Sequence, residues 1–239
     1  MRIARTVRRW VHTLQAWSLA ASRHRFAPGS KSWLIGTEAR YGGLVMGVSR
    51  NKVSPRDHRS DSELSRGGMI GGDRMLHHGY ADDYAEFLAP FLGADPPPVV
   101  AEFGILRGTG LAIWCDLFPR SRVLGLDIDL GHFRANRPNL EARGAFKANQ
   151  PELHEFDQLE REYERVGSVL AGDRIDICID DGLHSEESIM LTLARVTPHL
   201  AERFVIFIED HAGVHELIRA EYPSWVVRSH GEMTVITPS

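Results

Sequence analysis

Cysteine is nearly missing from this sequence. Its two thiols, Cys115 and Cys178, lie inside apolar runs with no Cys-x-x-Cys partner. That excludes a disulfide framework and a thiolate zinc site, and it suits a reducing, cytoplasmic setting. No stretch reaches the roughly 18 uninterrupted apolar residues of a membrane span, so a transmembrane segment is not expected. Aromatic content is 8%, and 22 glycines and 12 prolines in 239 residues are ordinary usage, which excludes collagen-like and disordered chains. Carboxylates are absent from the first 37 positions, which hold seven cations. The remainder carries −11, against −4 for the whole chain. An acidic body excludes a broad nucleic-acid surface, which would neutralise phosphates with clustered Lys and Arg.

What is present is 43% apolar content, sufficient for one full-sized α/β domain with an appendage. Three segments are expected: a basic amphipathic helix over 1–27, a Gly/Ser-rich linker or lid over 28–72, and the domain itself over 73–239. Ile3, Val7, Trp10, Leu14 and Trp17 fall on one helical face, with arginines opposite. Packing of that face on its own or a neighbouring subunit is the favoured reading, making a homodimer an expectation. A membrane-surface helix and a transit peptide are the alternatives. Gly42-Gly43, Gly67-Gly68 and Gly71-Gly72 punctuate the linker, where loops and short elements are expected.

From there the pattern alternates. Strands are predicted at 99–103, 122–127, 144–148, 175–180 and 203–208, and helices at 82–92, 109–118, 152–170, 186–199 and 213–221. Two further strands, 225–229 and 232–236, flank the turn at His230-Gly231. Five parallel strands and a terminal hairpin make a doubly wound, mostly parallel sheet with a C-terminal antiparallel strand.

Chemistry concentrates at the ends of the predicted strands. The first runs into Glu102-Phe103-Gly104-Ile105-Leu106-Arg107-Gly108-Thr109-Gly110, a glycine-rich turn suited to close approach of a nucleotide-like ligand to the backbone. It is not the dinucleotide GxGxxG, and Glu102 would repel a pyrophosphate while favouring a positively charged group. Asp127 ends the second strand, placed to accept from both hydroxyls of a ribose; Asp129 is the alternative. The fourth strand ends in Asp180-Asp181-Gly182-Leu183-His184 and the fifth in Glu209-Asp210-His211. These acids would repel one another unless a cation lay between them, and oxygen donors without cysteine select a hard ion such as Mg²⁺ or Mn²⁺. Asp181, Glu209 and Asp210 are the expected ligands, while Asp180, on the opposite strand face, is expected to be structural. His184 is the candidate general base, with His211 the next imidazole at that rim.

ExGxxxGxG, the GLDID tip, IDDGLH and IEDH, in this order and spacing, resemble the metal-dependent S-adenosylmethionine sugar O-methyltransferases of the macrocin and mycinamicin type. The likeness runs from about Gly72 to Pro238 and includes Asp73-Arg74 and the HxYxxxY pattern of His78, Tyr80 and Tyr84. A weaker resemblance is to actinobacterial enzymes that methylate mannose units of methylated polysaccharides. The likeness implies a Rossmann-like class I methyltransferase fold. It also implies S-adenosylmethionine held by Glu102, Gly104, Gly108, Asp127, Asn149, Gln150 and Tyr80, and Mg²⁺ (or Mn²⁺) on Asp181, Glu209 and Asp210, with His184 as base. Leu183 stands where the family commonly has Ser, and Asn149 where it has an acid before Gln150. The implied reaction is methylation of a hydroxyl on a sugar or oligosaccharide acceptor. A catechol-like diol is an alternative acceptor. An NAD-dependent oxidoreductase is the competing class, but it lacks its glycine fingerprint here.

Overall fold

The computed structural model describes residues 14–42, 72–160 and 164–239. Residues 14–22 are helical (α1). They are followed by α2 (Lys31–Tyr41), α3 (Ala81–Leu88), β1 (Val100–Phe103), α4 (Thr109–Leu117), β2 (Val123–Asp127) and α5 (Gly131–Ala142). The chain continues through β3 (Glu152–Glu155), α6 (Glu164–Leu170), β4 (Ile175–Asp180), α7 (Glu186–Val196), β5 (Leu200–Ile208), α8 (Val214–Glu221), β6 (Trp225–His230) and β7 (Met233–Pro238). The sheet order is β3-β2-β1-β4-β5-β7-β6. β1 to β5 are parallel, and β7 enters antiparallel between β5 and β6. This is the expected doubly wound architecture, and it delivers the carboxyl ends of β1, β2, β4 and β5 to one edge.

Side chains alternate across the strands with a period of two, and the two faces bury different material. Val100, Ile177, Ile179, Val205 and Phe207 face an aromatic-rich layer with Trp33, Tyr84, Trp114 and Phe133. Ala101, Phe103, Cys178, Ile206 and Ile208 face a mostly aliphatic layer with Ile189, Leu193, Val214 and Ile218. The same period puts Glu102 in β1 on the aromatic side and Asp180 in β4 on the other, and continued past the strand ends it puts Asp181 and Glu209 on the aromatic side.

Three elements depart from the sequence reading. The third strand is Glu152–Glu155 instead of 144–148, and the helix expected over 152–170 exists only from Glu164. β3 is an edge strand whose four residues are all partly or fully exposed, so it lacks an apolar run. Helix α5 was not expected: it carries Pro138 internally and buries the polar Asn136 between Phe133 and Leu140. α2 lies within the presumed linker, its N-terminus capped by Ser30. It buries Trp33, Leu34, Ile35, Gly36, Thr37 and Glu38 in succession, so no single stripe marks it.

At α1, Leu14 and Trp17 are 65% and 68% exposed while Ala16 is buried. The predicted apolar face is therefore not the one that meets this chain; Ile3, Val7 and Trp10 lie outside the described residues. A Cβ on Gly36 would come 2.6 Å from the Leu19 carbonyl oxygen, so α1 and α2 cross closely. Arg23 pairs with Asp116 at 2.9 Å, and the Tyr41 hydroxyl donates to the same oxygen, fastening this segment to α4. Among the described residues no helix is long and apolar enough to cross a membrane.

Candidate active site at the carboxyl edge of the sheet

The tips of β1 and β2 satisfy each other. Asp127 Oδ2 accepts from the backbone N–H groups of Ile105 and Leu106, both at 2.9 Å, and Oδ1 from that of Asp129. Asp129 in turn accepts from the Gly131 N–H at the start of α5. Arg107 and Asn136 exchange hydrogen bonds that bind the glycine-rich turn to α5. Gly104, at φ +85°, has no room for a side chain: a Cβ would sit 2.2 Å from the Asp181 carbonyl oxygen. At Gly108 it would meet the Phe133 ring, and at Gly110 the Glu102 carboxylate. Protein neighbours alone are enough to require glycine at these three positions.

At β4 and β5 the acids fall into an outer and an inner set. Donor atoms of Asp181, His184 and Asp210 all lie within 4.8 Å of one another, and their side chains are 27%, 31% and 33% exposed. His184 Nε2 is 3.7 Å from Asp181 Oδ1, while its Nδ1 lies 3.3 Å from the Glu209 carbonyl oxygen. A proton on Nδ1 would be held by that carbonyl, leaving the basic lone pair on Nε2 facing the acids. His184 and Asp210 are non-glycine residues held at φ +57° and +56°, and Leu106 in the glycine-rich turn at +41°. Strain of this kind persists only where its surroundings impose it.

The inner set is Glu102 and Glu209, buried to 1% and 2% side-chain exposure. Arg74 reaches both, at 2.8 Å from Glu102 and 3.4 Å from Glu209, and contacts Asp181 Oδ2 at 2.5 Å. The Tyr84 hydroxyl donates to Glu209 Oε1 and the Tyr80 hydroxyl to Asp210 Oδ1. Burial raises the pKa of Glu102, Asp181 and Glu209, with Arg74 pulling in the opposite direction. Burial opposes the charge on Arg74, but Glu209, Glu102 and Asp181 together carry its pKa above the ordinary value. Burial first, then Glu209, holds the Tyr84 phenol protonated, so it serves as a donor.

Several predicted positions are therefore relocated. Glu102 faces a guanidinium of its own chain. Tyr80 stands against the acid cluster. Glu209 lies behind the Asp181–His184–Asp210 group with Oε1 engaged by Arg74 and Tyr84. Asn149 and Gln150 are at the opposite edge: Asn149 donates to the Phe118 and Ser121 carbonyls that precede β2, and Gln150 is tied to Arg137 and Phe146. Asp157 and Gln158 follow the carboxyl end of β3. Gln158 donates to Asp180 Oδ1 at 2.8 Å and accepts from the Leu183 N–H at 2.8 Å, fixing the Asp181–His184 turn. Asp180 is thus structural. His78, 3.5 Å from Asp210 and 3.7 Å from Glu232, is the second imidazole at the rim; the His211 N–H bonds the Glu232 carbonyl. Arg74, His78 and Tyr84 were visible in the sequence only as part of the DR…HxYxxxY pattern, and Gln158 carried no signal apart from following Asp157.

No protein-family model matches the chain, and no curated protein matches it. Solved structures do. The MycE methyltransferase from the mycinamycin biosynthetic pathway, in complex with Mg, SAH and mycinamycin VI, superposes with a TM-score of 0.54 at 20% identity, covering 69% of this chain and 50% of that one. The same enzyme with Mg and SAH gives 0.53 at 19% identity, with the same coverage. The chain thus spans about half the length of these MycE chains, and it has their Rossmann-like fold.

Proposed function

We propose that this chain transfers a methyl group from S-adenosylmethionine to a hydroxyl of a sugar or glycoside, with a divalent cation at the β4–β5 edge. The observation that carries the reading is the convergence of Asp181, His184 and Asp210 within 4.8 Å at the open rim of the sheet. Oxygen donors beside one imidazole fit a hard ion. Asp181 and Asp210 would hold Mg²⁺ or Mn²⁺, with Glu209 directly behind them. The cation, when bound, supplies Lewis acidity to the acceptor hydroxyl.

The chain's own residues have defined tasks. S-adenosylmethionine, when bound, would supply the electrophilic methyl group, and His184 Nε2 would take the hydroxyl proton of the acceptor as its oxygen gains that methyl. The Glu209 carbonyl at Nδ1 keeps the imidazole oriented for that transfer. The glycine-rich turn after β1 and the Asp127 tip of β2 would receive the nucleoside, following the rule that ligands of doubly wound sheets bind beyond the strands' carboxyl ends. Support for a methyl donor over NAD comes from the turn itself, whose glycines stand at Gly104, Gly108 and Gly110 and not in the dinucleotide GxGxxG spacing. A vicinal diol suits an acceptor that shares the cation.

The test is methyl transfer from labelled S-adenosylmethionine to a sugar and glycoside panel beside a catechol panel, with EDTA and then with Mg²⁺ restored. Cation-dependent methylation of sugars is expected. His184→Ala should slow single turnover by roughly 10²–10⁴-fold at saturating Mg²⁺, with partial recovery at high pH. Methylation of catechols alone, or NAD binding without S-adenosylmethionine binding, would overturn the assignment.

A further inference from the structure

Arg74 addresses three strand ends with three different nitrogens. Nη1 faces Glu102 near the end of β1, Nη2 faces Asp181 just after β4, and Nε faces Glu209 just after β5. The side chain is 9% exposed and lies 5.7 Å from the Trp114 ring centroid, so it is boxed in. A guanidinium is planar and its donors are fixed relative to one another. Nη2 donates a hydrogen bond to Asp181, while Glu102 and Glu209 hold the same group by ion-pair contacts; the hydrogen bond fixes which oxygen Asp181 has left. Asp181 gives Oδ2 to Arg74, and its other oxygen, Oδ1, is the one 3.7 Å from His184. Glu209 gives Oε1 to Arg74 and to Tyr84. Asp210 is steadied by Tyr80. All of these donors come from one short stretch of chain, residues 74–84.

We propose that Arg74 is the positioning residue of the cation site, orienting Asp181 and Glu209 so that Asp181 Oδ1 faces the ion. This rests on the cation reading above. Partners that orient ligands in this way typically govern about 10–100-fold in metal affinity. Arg74 neutralises part of the charge of its three acids and leaves a negative surplus at the rim, where a divalent ion can enter.

The experiment is Mn²⁺ binding to the full chain, followed by electron paramagnetic resonance, for wild type, Arg74→Lys and Arg74→Met, with melting temperatures measured alongside. Wild type is expected to bind Mn²⁺, and both variants to bind about 10–100-fold more weakly. Lysine should fail to rescue because a point charge cannot engage three acids. A merely structural arginine would lower the melting temperature and leave the affinity of the folded protein unchanged; that result, or tighter binding in either variant, overturns the proposal. Failure of wild type to bind Mn²⁺ sinks the cation reading itself, and this inference with it. Should neither variant fold, guanidinium ¹⁵N spectra of wild type decide. Separate, slowly rotating Arg74 Nη signals should persist when Mg²⁺ is added, and their collapse to a freely rotating group would refute the positioning role.

Discussion

The two halves of one sheet edge are built differently. At β1 and β2 the Asp127 carboxylate is met by three backbone N–H groups, and Gly104 and Gly108 abut the Asp181 carbonyl and the Phe133 ring. At β4 and β5 four acids, counting Glu102 beneath them, share one guanidinium and two phenols. The β1–β2 half is braced by its own backbone contacts, whereas the β4–β5 half keeps a charge surplus at a partly open rim. A glycine-rich turn is therefore weak evidence for a ligand until its neighbours are known. Convergent carboxylates with too few protein cations are stronger evidence, since an unpaired buried charge is costly.

Gly104→Ala attacks that contrast most forcefully. With a backbone oxygen 2.2 Å from the new Cβ and φ at +85°, unfolding in denaturant should show a loss of about 2–4 kcal/mol with no ligand present. Gly213→Ala, at φ +102° but with open space around it, should cost only about 1–2 kcal/mol. Unchanged stability of Gly104→Ala, with ligand binding alone lost, would return that glycine to the role inferred from sequence.

Glu38 tests how the β4–β5 half is held. Its carboxylate accepts from the Met75 N–H, next to Arg74, through both oxygens at 3.1 Å. Burial, reinforced by Asp73, raises its pKa to about 8 from 4.5. Between those values the unfolded chain has released a proton that the native chain retains, so this group's contribution to stability falls as pH rises, by about 1.4 kcal/mol per unit. Glu38→Gln removes the dependence. The stability of wild type relative to the variant should therefore decline from pH 5.5 to pH 8.5, and a flat difference would contradict the burial of this acid.

The smallest effects belong to the amino edge. Asn149→Ala deletes two hydrogen bonds to carbonyls before β2 and should cost about 1–2 kcal/mol. Gln150 is exposed, and its replacement should cost less. Calorimetry should find S-adenosylmethionine affinity unchanged in both variants. A tenfold loss in either would place the nucleoside at the wrong end of β3.

Legibility in the sequence followed burial. β1, β2, β4 and β5 are apolar because both faces are covered, so their runs and the acids at their tips were plain in the sequence, as were Asp181, Asp210 and His184 as neighbours. β3 is a half-exposed edge. It lies about eight residues beyond the predicted strand, which leaves Asn149 and Gln150 at its amino end and Asp157-Gln158 at its carboxyl end. α2 was hidden because Thr37 and Glu38 are as buried as Trp33 and Leu34, which erases amphipathic periodicity. Arg74 reaches Asp181 and Glu209, and Tyr84 reaches Glu209, all more than 100 residues away in sequence. No local pattern reports such a contact; it comes from tertiary packing, which sets the Tyr84 ring against Trp114 of α4 and Phe207 of β5.

The most direct measurement is an anomalous-difference map of crystals grown with Mn²⁺ and S-adenosylhomocysteine. The account predicts one strong peak in contact with both Asp181 and Asp210, at the rim where His184 stands. A peak bounded instead by His78, Asp210 and Glu232, the other group of donors whose atoms lie within 4.8 Å of one another among the described residues, or no peak at all, would contradict it.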